Sequence, residues 1–541
     1  MRWTTLLRAL TFSLLALFFL SIYSQTNSSN QPQDVLHSDQ TLRTNTRLVV
    51  VDVVATDSKG QPVTDLKAAG FTVLEDGKPQ KISGFNFEHP GTSAQIVQVN
   101  LPPSVVTNAP KFQSNSLNVI LFDTVNGDFA EHAYAREQLL KFLSSAELRR
   151  PVAIFALQTQ LKLLHDFTTE NKSLSAVVAK YRPPAQTINS ESFESRASAF
   201  ATLGDYHTSE RGIETTLNQL NALAKILAGY PGRKNLIWLS ESFPFMLFPE
   251  SMGQANGDGQ AMRTGIDPGS SASNLQNVAS FKTYAAQIKK VSDSLMAAQV
   301  AVYPVDAGAV GKDDHLASQH TMDSIAENTG GKSFKNSNDL VLGLRTSIED
   351  GSAYYTLTYY PENKNWDGQF RRIQVKSDRA NTSLRYREGY YAVDPAKVNK
   401  EDSDAVAENF SRMLEPDAPA AMQVVFQAQV QPPSEKNKKV LVTFHIDPRT
   451  LAFEKKDGGV EFAKLSCTVW AYGKDKDKPT MSSGTVNANL NAKDYQQMMQ
   501  QRFLPCDRQL DLKPGTYTLR MGVLDRATNK IGTASAQMVV P

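Results

Sequence analysis

The ordered part of the chain opens with an alternation of period two. Arg47–Ala55 (RLVVVDVVA) predicts a strand. Phe71–Glu75 and Lys81–Phe87 predict two more, joined through Asp76-Gly77-Lys78-Pro79, whose Asp-Gly is a hairpin turn signal. Fewer than ~50 residues of sheet bury too little apolar surface to stand alone. This β segment needs a partner elsewhere in the chain.

From Ser116 the pattern changes. Leu117–Phe122 is a short continuous apolar run of the kind a buried parallel strand shows, and Glu131–Ser144 is helical. Pro151–Leu157 is a second strand. Gln160–His165 follows too closely for a crossover, so it predicts an antiparallel neighbour. Leu174–Lys180 is helical. Ile213, Leu217, Leu220, Leu223 and Leu227 form a helical stripe that Gly229-Tyr230-Pro231-Gly232 stops. Asn235–Ser240 is a buried strand. Phe281, Tyr284, Ile288, Val291 and Leu295 make another helical stripe, and Val300–Val305 another strand. Thr321–Asn328 and Asn338–Ile348 complete the order β α β β α α β α β α β α. That order predicts an open, doubly wound sheet with helices on both faces. Two inserts interrupt it, at 181–212 and 243–278. The second is rich in Gly, Ser, Asn and Asp and follows the C-terminal end of a strand, on the face where such sheets bind ligands.

Period two returns in Tyr354–Tyr360, Phe370–Lys376 and Ser383–Arg387. The expected architecture is multidomain. A β-sandwich has its first half in 46–100 and its second in 350–395, and an α/β domain, 116–349, is inserted between them. Residues 396–420 (Lys, Glu, Asp, Ala, Pro) read as a linker. Strands such as Val440–Ile446, Ala463–Trp470 and Thr516–Leu524 predict a second sandwich over 421–541.

The N-terminus adds a destination. Arg2 and Arg8 precede an apolar run, Ala9–Tyr23, and a polar stretch follows. Residues 1–26 are therefore expected to be a secretory signal peptide and 27–45 a linker, placing the protein outside the cell, in the periplasm or at the cell surface. Ile22-Tyr23-Ser24 lacks a small first residue, so an uncleaved anchor is the alternative, and only that alternative brings a membrane contact. Among 541 residues, 57 are Lys or Arg and 55 Asp or Glu. The first 26 residues hold two of the bases and no acid, so the rest is balanced. No nucleic-acid partner is expected of such a chain. The two cysteines, Cys467 and Cys506, cannot make a zinc site and are expected to pair in an oxidising compartment.

Enzyme fingerprints fail. There is no Gly-x-Ser-x-Gly. Gly331-Lys332-Ser333 has Ala326 where a phosphate loop needs glycine, and it follows a helix instead of preceding one. His315, His320, Asp313 and Asp314 read as a solvated loop. What remains is Asp123, at the end of the first buried strand and facing the ligand crevice. Its two readings are a ligand to a hard cation or a cap for loop N–H groups.

The element order, with Leu117–Asp123, Asn235–Ser240 and Ile325–Phe334 (IAENTGGKSF), resembles a von Willebrand factor A domain. Val49–Ala55, FTVLEDGKPQKI, YPGRKNLIW and VYPVD resemble more narrowly the A-domain-related secreted proteins of Acidobacteria, over roughly residues 46–395. The resemblance implies a metal-ion-dependent adhesion site built on Asp-x-Ser-x-Ser, a Thr and a later Asp. Aligned to it, Asp123 is the first Asp, and Val125 and Gly127 replace the serines. Glu241 stands for the later Asp, and the Thr falls among Thr208, Thr215 and Thr216. Asn126 and Asp128 would be replacement oxygens. The implied site, Asp123, Asn126 and Glu241, is degenerate and is expected to bind Mg²⁺ weakly or not at all, with no other cofactor. The implied function is non-enzymatic binding of an extracellular or envelope protein through the loops of the A-type domain. A metal-free structural component of a surface or secretion assembly, or a hydrolase, is the alternative.

Overall fold

The computed structural model describes residues 48–89, 95–96, 101–110, 112–113, 116–126, 129–182, 201–240, 272–307, 315–335, 339–392, 403–435, 438–456, 459–474 and 478–541. The expected signal peptide and the linker after it lie outside them. Among the described residues, no helix is long and apolar enough to cross a membrane.

The early β segment finds its partner late in the chain. Val49–Thr56 pairs antiparallel with Tyr354–Tyr359 and Ser383–Arg385, and Ile82–Glu88 pairs on the other side of Tyr354–Tyr359. Phe71–Glu75 lies between Lys78–Gln80 and Phe370–Ser377, which also pairs with Gly389–Tyr391. Val51, Val53, Phe71, Val73, Leu357, Ile373 and Val375 from these two four-stranded sheets share one core. The polar centre of that core is Glu75, which accepts from Tyr359 and Tyr390 at 2.8 Å each and from Arg371 at 3.3 Å.

Residues 116–350 run out and back between those strands. Their sheet has the order Lys162–Thr168, Val152–Leu157, Ser116–Asp123, Arg233–Ser240, Val300–Asp306. The first strand is antiparallel to its neighbour and the rest are parallel. Every residue of Ser116–Asp123 is buried, because it is the central strand with helices over both faces. Val119 and Leu121 pack toward Ala201–Leu227, Ala272–Ala297 and His315–Thr329. Ile120 and Phe122 pack toward Phe129–Ser145, Asn171–Lys180 and Leu340–Asp350. The strand expected between the last two helices shrinks to one bridge, Phe334 to Val305. Gly330-Gly331 serves packing: a Cβ on Gly331 would lie 1.9 Å from the Val302 carbonyl oxygen, so only glycine lets this turn cross the strand.

The inserts are shorter than the sequence suggests. Helix Ala201–Leu227 takes the end of 181–212, and Ala272–Ala297 takes the end of 243–278. Both helices continue past their apolar stripes into polar sequence, as a helix already nucleated by packing can.

The C-terminal region departs from expectation in two places. The segment read as a linker contains a helix, Ser403–Arg412. Its Val406 and Phe410, with Met413 and Leu414, pack against Ile226 of the α/β body and Leu524 and Ile531. Arg520 donates to the Met413 carbonyl at 2.7 Å and Tyr472 to that of Leu414 at 3.1 Å. Second, the sheet Leu504–Leu510, Val440–Ile446, Phe426–Gln431 is completed by Val105–Thr107, from far upstream. The facing sheet is Val460–Tyr472, Gly515–Asp525 and Ile531–Val540, with Glu454–Lys456 and Thr480–Leu490 also on Val460–Tyr472. Cys467 and Cys506 join the two sheets, their Cα atoms 6.8 Å apart.

Asn108 anchors the upstream strand. Its buried amide donates to the Ala421 and Val424 carbonyls at 2.8 Å each and accepts from the Phe426 N–H at 2.9 Å. Asn108→Ala is expected to lower unfolding free energy by about 2–3 kcal/mol, since two carbonyls and an N–H lose their partner. Urea denaturation measures it, and a change under about 0.5 kcal/mol, the usual range for an unconstrained surface site, would show that the strand is not held there.

Candidate functional site

The strand order turns around at Ser116–Asp123. The chain first builds outward on one side of it, then crosses to place Arg233–Ser240 on the other. The carboxyl ends of these two strands border the topological switch point, where open α/β sheets bind ligands. Asp123 is the last residue of the first strand and Ser240 the last of the second.

Parallel register puts Trp238 beside Leu121 and Leu239 beside Phe122, so Ser240 falls beside Asp123. Side chains two apart on a strand share a face. Trp238 and Ser240 therefore reach the same carboxylate: the indole Nε1–H donates to Asp123 Oδ2 at 3.0 Å and the Ser240 hydroxyl at 2.8 Å. The loop after Asp123 folds back onto it. The Val125 and Asn126 backbone N–H groups donate to Oδ1 at 2.9 and 3.0 Å, and the Asn126 side-chain Nδ2 donates to Oδ2 at 2.9 Å. The same nitrogen reaches Thr216 Oγ1, 2.9 Å away on the helix Ala201–Leu227.

Asp123 is 1% exposed and accepts five hydrogen bonds, which fill the capacity of a carboxylate. Burial pushes its carboxyl above the usual range, and the bonds from Asn126, Val125 and Trp238 pull it part of the way back.

Of the residues expected at this site, the structure brings together Asp123, Asn126 and one of the three threonines, Thr216. Thr215 lies on the same helix, and the Thr208 side chain, Gly127, Asp128 and Glu241 are outside the described residues. The sequence pattern identifies Trp238 and Ser240 only as members of a buried strand. Their signal was polar groups two apart at the carboxyl end of an otherwise apolar run.

The resemblance to A domains implies a divalent cation here. The described residues do not fit one. A cation needs oxygens with open lone pairs. Among the described residues, each hydrogen bond to Asp123 comes from a proton donor, Val125 offers no side-chain oxygen, and Asn126 turns its nitrogen, not its oxygen, toward the carboxylate. Among the described residues, no three His, Cys, Asp or Glu side chains come together as a metal site. His315 and His320 lie on helix His315–Thr329.

No protein-family model matches the chain, and no curated protein matches it. Solved structures show similarity at low identity. The vWF domain of the type V pili tip protein Mfa5 from Porphyromonas gingivalis is 11% identical, with 43% of this chain and 94% of that one covered and a TM-score of 0.24. A von Willebrand factor type A protein from Catenulispora acidiphila is 9% identical over 88% of this chain and 75% of that one, TM-score 0.20. An aerotolerance-related membrane protein from Bacteroides fragilis is 10% identical over 44% and 98%, TM-score 0.21. None of the three assigns chemistry to this chain.

Proposed function

We propose that this chain is a non-enzymatic adhesion or surface-assembly component of the cell envelope or exterior, and that it binds a protein partner through the carboxyl-end rim of its α/β sheet without a metal ion. One observation carries this reading: the Asp123 carboxylate at the switch point is saturated by the protein's own donors. A carboxylate so bound is neither a general base nor a cation ligand, since each role needs a free lone pair. The described crevice thus offers a packed platform at the carboxyl ends of Ser116–Asp123 and Arg233–Ser240, whose described residues adjoin 127–128, 183–200, 241–271 and 308–314 in sequence. Loops on a rigid scaffold are the usual carriers of recognition. The signal peptide expected over residues 1–26, with the pairing of Cys467 and Cys506, supports an oxidising, extracytoplasmic setting.

The test is capture of envelope proteins on the immobilised chain, with and without EDTA. The expected result is a captured protein whose binding survives EDTA and is lost when the 243–271 segment is replaced by a short Gly/Ser linker. Binding abolished by EDTA and restored by Mg²⁺ would overturn the metal-free reading.

A further inference from the structure

The open edges of the sheets are nearly all protected against pairing with another chain. Ser383–Arg385, Gly389–Tyr391, Lys78–Gln80, Glu454–Lys456 and Val105–Thr107 are three residues long. Lys162–Thr168 and Ile82–Glu88 carry register shifts and charges. Leu504–Leu510 contains Pro505, Asp507 and Arg508, and Val300–Asp306 contains Pro304 and is bridged by Phe334. Ile531–Val540 is capped at its start, where Thr533 donates its N–H to Ala421 and the Val424 N–H reaches Ile531. Short, charged, bulged, proline-bearing and covered edges are the known devices against edge-to-edge association.

Among the described residues, Thr480–Leu490 carries none of them within its own sequence, and the Arg508 guanidinium lies against Gly484 on its core-side face. It runs eleven residues, TMSSGTVNANL, with no charge and no proline. It pairs with Val460–Tyr472 in unbroken register and, among the described residues, with no other strand. Val486 and Ala488 seat it on the core, while Met481, Ser483, Thr485, Asn487 and Asn489 form one exposed row.

We propose that two copies of this chain pair antiparallel along Thr480–Leu490, about a two-fold axis at Thr485. The row is complementary to itself in that register. Thr485 faces its own copy, Ser483 faces Asn487 and Met481 faces Asn489, so hydroxyls meet hydroxyls or amides and no like charges oppose within the exposed row. A charged row would repel its copy, and the exposed row of this strand carries no charge. The proposal is independent of the adhesion reading, because it is tested on the pure chain with no partner present.

Sedimentation velocity on the purified chain is expected to show a concentration-dependent dimer. The double variant Ser483→Lys/Asn487→Lys puts two ammonium pairs face to face and is expected to weaken the dimer about tenfold or more. Ser483→Lys/Asn487→Glu places opposite charges across the axis and is expected to restore it. Thr485→Cys introduces an unpaired thiol at the axis, and mild oxidation is expected to give a covalent dimer. Circular dichroism on each variant separates loss of pairing from loss of fold. A wild-type chain that stays monomeric at its highest soluble concentration would overturn the proposal. So would a dimer indifferent to the double-lysine change, or a folded lysine–glutamate variant that stays monomeric.

Discussion

Asp123→Ala is expected to lower the unfolding free energy by about 3–5 kcal/mol, because it strands several buried donors at once. Val125 N–H, Asn126 N–H, the Asn126 amide, the Trp238 indole and the Ser240 hydroxyl all end on this one carboxylate. Each buried donor left without an acceptor costs about 1–3 kcal/mol. The five do not add in full, since the 124–126 loop relaxes and Asn126 keeps Thr216. Ser240→Ala removes one donor and leaves four, so it is expected to cost only about 0.5–1.5 kcal/mol. Urea denaturation of the three proteins, with and without Mg²⁺, gives both quantities. The wild type is expected to unfold at the same midpoint in EDTA and in excess Mg²⁺. A ligand that binds only the folded chain must shift that midpoint. A Mg²⁺-dependent gain in the wild type, absent in Asp123→Ala, would make the carboxylate a cation ligand and sink the saturated-site account.

How much of this was legible in the residues varies with how local the cause is. Leu117–Asp123 announces a buried strand through unbroken apolar character, and the spacing from Ile213 to Leu227 announces a helix, because both patterns lie within a few neighbours. The rim position of Asp123 follows from element order. What its oxygens meet does not, because Trp238 and Ser240 arrive from more than 100 residues away and strand register brings them together, while Thr216 reaches Asn126 only through the packing of its helix. Val105–Thr107 is too short and too Pro-flanked to read as a strand, and its partner lies over 300 residues on. Ser403–Arg412 hides for another reason. Its composition is that of a linker, and its apolar Val406 and Phe410 have meaning only against Ile226, Leu524 and Ile531. Asn126 shows the same limit within one side chain. The sequence offers an amide with an oxygen and a nitrogen, and only the carboxylate beside it decides that nitrogen faces inward.

Lys234 is expected to give the protein a stability that rises with pH above neutrality. It is the second residue of the buried strand Arg233–Ser240 and is 1% exposed, with its Nζ donating to the Tyr230 carbonyl at 2.8 Å and the Gly232 carbonyl at 2.7 Å. Burial pushes its ammonium down to about 7, against a weaker upward pull from Asp52. In the unfolded chain the same group keeps its proton to about 10.4. Between those two values the unfolded state binds more protons than the folded one, so stability rises with pH across that window. Below neutrality the buried charge is a full penalty, and above the window it is gone. Other lysines and tyrosines titrate there too, so the comparison must be with Lys234→Met, which keeps the aliphatic length and has no proton to lose. From pH 7 to pH 9.5 the wild type is expected to gain about 2–3 kcal/mol more than the variant. The variant's own offset, from two carbonyls left without a donor, is independent of pH and drops out of that difference. Urea denaturation at the two pH values decides it. Parallel profiles would mean that the carbonyls of Tyr230 and Gly232 hold the ammonium charged at pH 7, and that burial at the base of this strand costs far less than its depth implies.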